Sequence, residues 1–307
     1  MGSLALSLEF AQPIAYAVPI GMGGWMRRLL SAVALLLAMA PRLSPGAPPH
    51  SRVELLADVD AVSPGQPFTL AVRLHLDPGW HSYWVNPADA GAPLRAEWRL
   101  PRGYRVGDLQ WPTPRLFLDP PLASYGYEGE VVLLATVTPP PDPALETLPI
   151  SAKLSGLVCR DVCLPAQASV RLHLPIDKAR PSPAADVIRQ ARDRMPMPAD
   201  GWTYHLFFDD DQIALHGRAP AGALDGITGA LFFPEYKPLI EHAAEQTWEQ
   251  RGDVFRLTMK RDASAVRMPQ RVKGVLRLES DSGRPPHALA LNANVRKGKP
   301  HVFRDNP

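Results

Sequence analysis

Cysteine is scarce in this chain. Cys159 and Cys163 are the only two in 307 residues, and no Cys-x-x-Cys occurs. None lies near the N-terminus, which excludes lipoprotein anchoring. An excess of charge of one sign is also lacking. The formal net charge is +2 with no long basic run, so neither nucleic acid nor an anionic surface is indicated as a partner. There is no Gly-rich phosphate loop, no metalloprotease helix motif and no serine nucleophile elbow. Beyond Ala40 no apolar run approaches the length of a membrane-spanning helix.

What is present in surplus is proline, at 35 residues. It disfavours long helices and favours strands, turns and extended linkers. The apolar share of 46% and the charged share of 21% are those of an ordinary globular protein with ample core. The length points to two domains.

The N-terminus reads as an export address. Met26-Arg27-Arg28 precedes an uninterrupted apolar run from Leu29 to Ala40, the layout of a secretory signal. Pro41 obstructs cleavage directly after Ala40, which moves the expected cut toward Ala47; the alternative is that the segment is retained as a membrane anchor. Residues 1–21 lack this charge logic, as expected if the true start is Met22 or Met26. Export would place the two cysteines where disulfides form.

Strand signals follow. Val53–Asp58 is strand-like, and Phe68, Leu70, Val72, Leu74 and Leu76 alternate with smaller or polar residues at period two. Trp80–Trp84 is a dense aromatic strand. Glu97–Leu100, Leu109–Trp111, Gly129–Val137, Ile150–Val158 and Val170–Leu174 continue the series, with turn signals between them. The pattern predicts an all-β protein: two immunoglobulin-like antiparallel β-sandwich domains in tandem after a signal peptide. The expected divisions are signal peptide and upstream start, 1–47; first sandwich with the cysteine pair, 48–178; Pro-rich linker with a short helix at Ala184–Met195, 179–200; second, smaller sandwich, 201–297; and polar tail, 298–307. One or two helical turns are expected at Lys237–Gln246.

Three residues separate Cys159 from Cys163, and the strand–turn–strand pattern around them allows the close approach that a disulfide needs. So short a loop removes little entropy from the unfolded chain and makes a poor staple. The residues leave three readings open: a structural disulfide, a redox couple and a metal clamp. Arg160 beside Cys159 favours a thiolate and Asp161 opposes it, while Pro165 stiffens the exit. His81 is a ligand or acid–base candidate, against the commoner role of a satisfied strand histidine. Met195-Pro196-Met197 offers soft copper ligands, against an ordinary linker. Ser124–Glu130 reads as a turn or as an aromatic loop over the cysteines.

Four stretches, in order, carry a resemblance. They are Pro78-Gly79-Trp80-His81-Ser82-Tyr83-Trp84 with Asn86-Pro87; Trp111-Pro112; Tyr125-Gly126-Tyr127-Glu128-Gly129-Glu130; and Gly156-Leu157-Val158-Cys159-Arg160-Asp161-Val162-Cys163-Leu164-Pro165. Together they resemble the N-terminal periplasmic domain of the DsbD/ScsB-type thiol:disulfide interchange proteins, with the cysteine spacing of the ScsB branch. Phe232-Phe233-Pro234-Glu235 and Leu239–Gln246 extend the likeness, so that it covers about residues 52–296. The resemblance implies an exported, periplasmic protein-disulfide reductase component that carries reducing equivalents without a cofactor. It implies that Cys163 attacks and Cys159 resolves. It implies a cap loop at Ala123–Tyr127, with Ser124, Tyr125, Tyr127 and His81 as cap or partner-surface residues. It assigns no metal site, although copper tolerance accompanies the ScsB branch and leaves Cu(I) handling as an alternative, beside a binding module with a structural disulfide. Neither the membrane domain nor the thioredoxin-like domain of the full-length family is recognisable. The implied partners are therefore thioredoxin-like periplasmic proteins and a separate membrane electron-transfer protein.

Overall fold

The computed structural model describes residues 49–281 and 287–299. The expected signal segment and cleavage region, 1–47, and the tail beyond Lys299 lie outside them.

The chain alternates short strands with turns, as its prolines and glycines dictate. In the first half, β1 (Ser51–Ala57), β2 (Phe68–Leu76), β3 (His81–Ala88), β4 (Arg95–Arg99), β5 (Arg105–Val106), β6 (Arg115–Asp119), β7 (Leu122–Glu128), β8 (Glu130–Thr138), β9 (Thr147–Cys159) and β10 (Cys163–Pro175) follow in order. They form two antiparallel sheets, one ordered β1-β2-β8-β5, the other β10-β9-β3-β7-β6 with β4 on β9. The period-two residues of β2 (Phe68, Leu70, Val72, Leu74 and Leu76) point into the core between the sheets and meet Trp80, Trp84, Leu148, Ile150 and Leu154 there. Burying such apolar side chains is worth roughly 1.5–3 kcal/mol each.

The other face of the first sheet is also covered. Helix α1 (Ala185–Arg192) lays Ile188 and Ala191 on Ala71, Val132 and Leu134. Arg192 Nη2 donates to Thr69 Oγ1 at 2.8 Å and Ser182 Oγ bonds the Ala57 carbonyl. The stretch expected as a linker is thus packed against the first sheet along much of its length.

The second half contains β11 (Met197–Pro198), β12 (Thr203–Phe208), β13 (Gln212–Arg218), β14 (Ile227–Pro234), β15 (Thr247–Arg251), β16 (Val254–Lys260), β17 (Arg271–Ser280) and β18 (Ala288–Lys297). The all-β expectation holds, but here the expected sandwich gives way to one eight-stranded sheet, ordered β14-β17-β18-β12-β13-β16-β15 with β11 on β18. β12 and β11 run parallel to β18. The sheet rolls into a nearly closed barrel, and Gln246 clasps its free edges, accepting from Phe232 N–H at 2.8 Å and donating to Phe232 C=O at 3.0 Å. The helical turns expected at Lys237–Gln246 reduce to a 3₁₀ turn at Lys237–Leu239, because Pro238 departs from helical geometry.

β14 serves two cores. Phe232 enters the barrel interior and Phe233, on its opposite face, packs with Trp84 and Tyr125 of the first half. Asn86 Nδ2 donates to Pro234 C=O at 2.7 Å, and His242 Nδ1 lies 2.9 Å from Asp89 Oδ1.

Candidate functional site

β9 and β10 are long partners in continuous register, joined by Arg160-Asp161-Val162. Cys159 and Cys163 face each other at the closed end, 4.1 Å apart at Cα, and are disulfide-bonded. The two sulfurs differ in environment. Cys159 is 2% exposed, whereas Cys163 is exposed. The loop closed is so short that the bond contributes only about 2 kcal/mol through chain entropy. The sandwich, held by its own core, would therefore survive reduction.

The inner neighbour of the pair is β3. Its alternation sends Trp80, Ser82 and Trp84 toward the core and His81 and Tyr83 to the opposite face. Cys159 stands opposite His81 in the register, so the cysteines share that face. Tyr83 reaches Cys163 across it, with Oη 3.4 Å from Sγ. A disulfide sulfur carries no proton, so the phenol donates. Burial raises the Tyr83 phenol above its ordinary value and keeps that proton in place at neutral pH.

Two glycines make room. Gly91, at φ +102°, lies flat against the Tyr83 ring, where a Cβ would overlap ring atoms. Gly126 sits between Tyr83 and Arg115 in the register, so close to β3 that a Cβ would strike the Ser82 carbonyl. This bare position leaves the face open between β3 and β6. Phe117 of β6 stacks on His81 at 5.1 Å, and His81 meets Tyr83 edge-on at 5.2 Å. Burial lowers the His81 pKa, partly offset by Glu128, so the ring favours its neutral form.

Arg160 marks the other side of the hairpin. Its guanidinium lies over the Trp80 ring at 5.4 Å and bonds Asp161, while His50 stacks on the same indole at 3.9 Å. The cation beside the cysteines is thus held by an aromatic face and a carboxylate.

The fold brings together Cys159, Cys163 and His81. Ser124 lies on the outer face opposite Phe117. Tyr125 and Tyr127 require correction as cap residues. The stretch Ala123–Tyr127 belongs to strand β7, and its alternation turns both rings inward. Tyr125 is 1% exposed against Phe233 and His242, and Tyr127 is 7% exposed and donates to Pro112 C=O at 2.7 Å. Neither presents a surface to a partner. The aromatic that covers this face is Phe117, ten residues upstream of Tyr127, and sequence reasoning passed over both it and Tyr83. Met195 and Met197 line a separate groove with Ala191, Asp193 and His287. Among the described residues no group of three or more His, Cys, Asp or Glu is placed to hold a metal, and no helix is long and apolar enough to cross a membrane.

Residues 52–175 match the family model described as the N-terminal domain of the thiol:disulfide interchange protein DsbD. The N-terminal periplasmic domain of ScsB from Proteus mirabilis is similar in structure over 81% of this chain and 95% of its own, with a TM-score of 0.59 at 18% identity, a likeness of fold. The reduced N-terminal domain of DsbD from Neisseria meningitidis overlaps 42% of this chain and 90% of its own at 16% identity, with a TM-score of 0.26. No curated protein matches.

Proposed function

We propose, for a chain whose residues 52–175 match the model of the DsbD N-terminal family, that it carries out thiol–disulfide exchange in the periplasm. Its reduced pair passes two electrons to thioredoxin-like proteins. The observation that carries this reading is the asymmetry of the pair: an exposed Cys163 with a phenol at its sulfur, and a buried Cys159 directly behind it.

In the reduced form the Cys163 thiolate attacks a sulfur of the partner's disulfide. A mixed disulfide forms and the first partner sulfur leaves as thiolate. Cys159, deprotonated, then attacks Cys163 Sγ, the Cys159–Cys163 bond closes, and the second partner sulfur leaves. The partner is reduced by two electrons, and its sulfurs take up the two protons that the pair has lost. The Tyr83 O–H is placed to donate to Cys163 as thiolate in the first step and as leaving sulfur when the pair is reloaded. Phe117 and His81 would limit access of water and small thiols to the inner sulfur.

Periplasmic placement is supported by the basic-then-apolar N-terminal segment and by the disulfide itself. In this reading 48–178 is an immunoglobulin-like exchange domain, 201–297 its companion and 179–200 the stretch between, and a separate membrane protein reloads the pair. The finding that the pair closes a very short loop supports redox use over stapling, since little stability is lost on opening it.

The test is the potential of the pair together with trapping. Exchange-active dithiols of thioredoxin-fold partners span about −270 to −120 mV, and structural disulfides fall below about −300 mV. A value inside the first range, with a mixed disulfide accumulating on Cys159→Ser but not on Cys163→Ser, is expected. A value in the structural range with no trapped species overturns the proposal.

A further inference from the structure

The backbone beside Cys163 is unpaired on one side. Antiparallel strands alternate between pairs that exchange two hydrogen bonds and narrow pairs whose N–H and C=O groups point away from each other, with Cα atoms about 4.5 Å apart. Cys159 and Cys163, at 4.1 Å, form a narrow pair. Three further observations fix the same parity. Leu157, opposite Pro165, donates its N–H away from β10 to Ala92 C=O at 3.3 Å. Pro165 and Pro175 have no N–H to give β9, and both fall on the parity of Cys163. Pro175 turns its carbonyl outward to Val62 N–H at 2.8 Å.

The outward groups are therefore those of Cys163, Gln167, Ser169, Arg171 and His173, with the carbonyl of Pro165. β10 is the last strand of its sheet. Among the described residues no backbone or side-chain hydrogen bond takes up these groups, and all of these residues are exposed. On its inner flank the cysteine pair is bordered by β3 and by Tyr83. A polypeptide bringing sulfur to Cys163 has the outer flank to approach along.

We propose that the edge of β10 from Cys163 to His173 is the docking strand for an extended segment of the exchange partner, which adds to the sheet by main-chain hydrogen bonds and thereby holds the partner's cysteine beside Cys163 Sγ. This rests on the exchange function proposed above and names how the partner is bound. Main-chain pairing gives affinity with little demand on the partner's side chains, which suits a carrier serving more than one protein. Pro165 and Pro175 each remove one donor from the outward row, which blunts unspecific strand addition.

The probe is a short Thr/Val-rich peptide whose single cysteine carries thionitrobenzoate in disulfide linkage, compared with the same peptide N-methylated at alternate amides. Attack of Cys163 on the peptide sulfur forms the mixed disulfide and releases the coloured thionitrobenzoate anion. Cys159 then closes the pair and releases the peptide thiol. The reduced chain is expected to react about ten-fold faster with the plain peptide, the effect of one or two backbone bonds. Gln167→Pro deletes one outward N–H at a parity where proline already occurs, and should bring the plain peptide down to the methylated rate. Its rate with the small disulfide 5,5′-dithiobis(2-nitrobenzoate) should stay unchanged. Ser169→Pro serves where Gln167→Pro disturbs the circular dichroism of the fold. Equal rates for the two peptides, with the small disulfide still reacting, overturn the docking edge alone. A structural-range potential for the pair removes the exchange reading and the docking edge with it. A stable dimer whose β10 amides are already protected from hydrogen exchange assigns the edge to a second copy and overturns the proposal.

Discussion

Gly91 stands against the face of the Tyr83 ring with no room for a methyl group, and Tyr83 in turn places its hydroxyl 3.4 Å from Cys163 Sγ. A residue eight positions from Tyr83 thus sets the surroundings of a sulfur eighty positions from that tyrosine. Gly91→Ala adds a Cβ inside the ring and forces an L side chain into φ +102°. The expected cost is about 2 kcal/mol or more, read as a lower urea midpoint at unchanged slope. Exchange by the folded fraction should slow as well, because the ring must move off the sulfur.

Tyr83→Phe separates the hydroxyl from the ring. Packing against Gly91 and His81 is kept, and the phenolic donor to Cys163 is lost. The Cys163 thiolate should become harder to form, with its pKa moving up and exchange at neutral pH slowing by roughly three- to ten-fold. The check is the pH profile of iodoacetamide alkylation of Cys163 in a Cys159→Ser background. A profile that does not move would assign Tyr83 to packing only.

These two residues mark the limit of what the chain discloses before folding. Strand β2 was legible because one buried face imposes strict alternation on Phe68–Leu76. The hairpin of β9 and β10 was legible for the same reason, and so was the closeness of its cysteines. Which aromatic of Trp80–Trp84 faces them was not, because that depends on the register of His81 against Cys159, a contact between strands far apart in sequence. Strand β6 was hidden by Pro112, Pro114, Pro120 and Pro121, which read as loop punctuation, so Phe117 went unnoticed. The Tyr125-Gly126-Tyr127 run looked like a turn. Its glycine instead permits close approach of β7 to the Ser82 carbonyl. A barrel and a sandwich give the same sequence pattern, because strand count and spacing are alike in both. Closure rests on the Gln246–Phe232 clasp, which no local pattern announces.

His81 predicts a pH dependence with a defined sign. Burial lowers its pKa below the value of about 6.5 it has in the unfolded chain. The native state therefore binds fewer protons than the unfolded state across that interval. The stability tied to neutral His81 is complete above about pH 6.5 and is lost as pH falls through the lowered folded value. His205 is shifted the same way, by burial and then by Arg296, and acts equally in wild type and variant. Between pH 8 and pH 5 the urea midpoint of His81→Gln should therefore fall by less than that of the wild type. An identical fall in both proteins would remove His81 from the pH response.

Asn86 offers a test of whether the second half supports the site. It lies on β3, three residues beyond Tyr83, where the pairing with β7 slips between Tyr83 and Ala88. Its amide is 2% exposed and satisfies two buried backbone groups at once, the Pro234 carbonyl at 2.7 Å and the Ala88 N–H at 3.0 Å. Asn86→Ala strands both, at a cost of about 1–3 kcal/mol. His242 holds the same junction through Asp89, whose other oxygen accepts the Ala123 N–H at the start of β7. Two side chains fixing one junction should not act additively. A double-mutant cycle of Asn86→Ala with His242→Ala is expected to give a coupling of about 0.5 kcal/mol or more in urea unfolding. Because β3 and β7 also carry Tyr83 and Gly126, the same variants should loosen the Tyr83–Cys163 contact and slow exchange in the folded protein. Full additivity together with unaltered exchange would mean that the barrel adds stability to the first half without shaping the surroundings of Cys163.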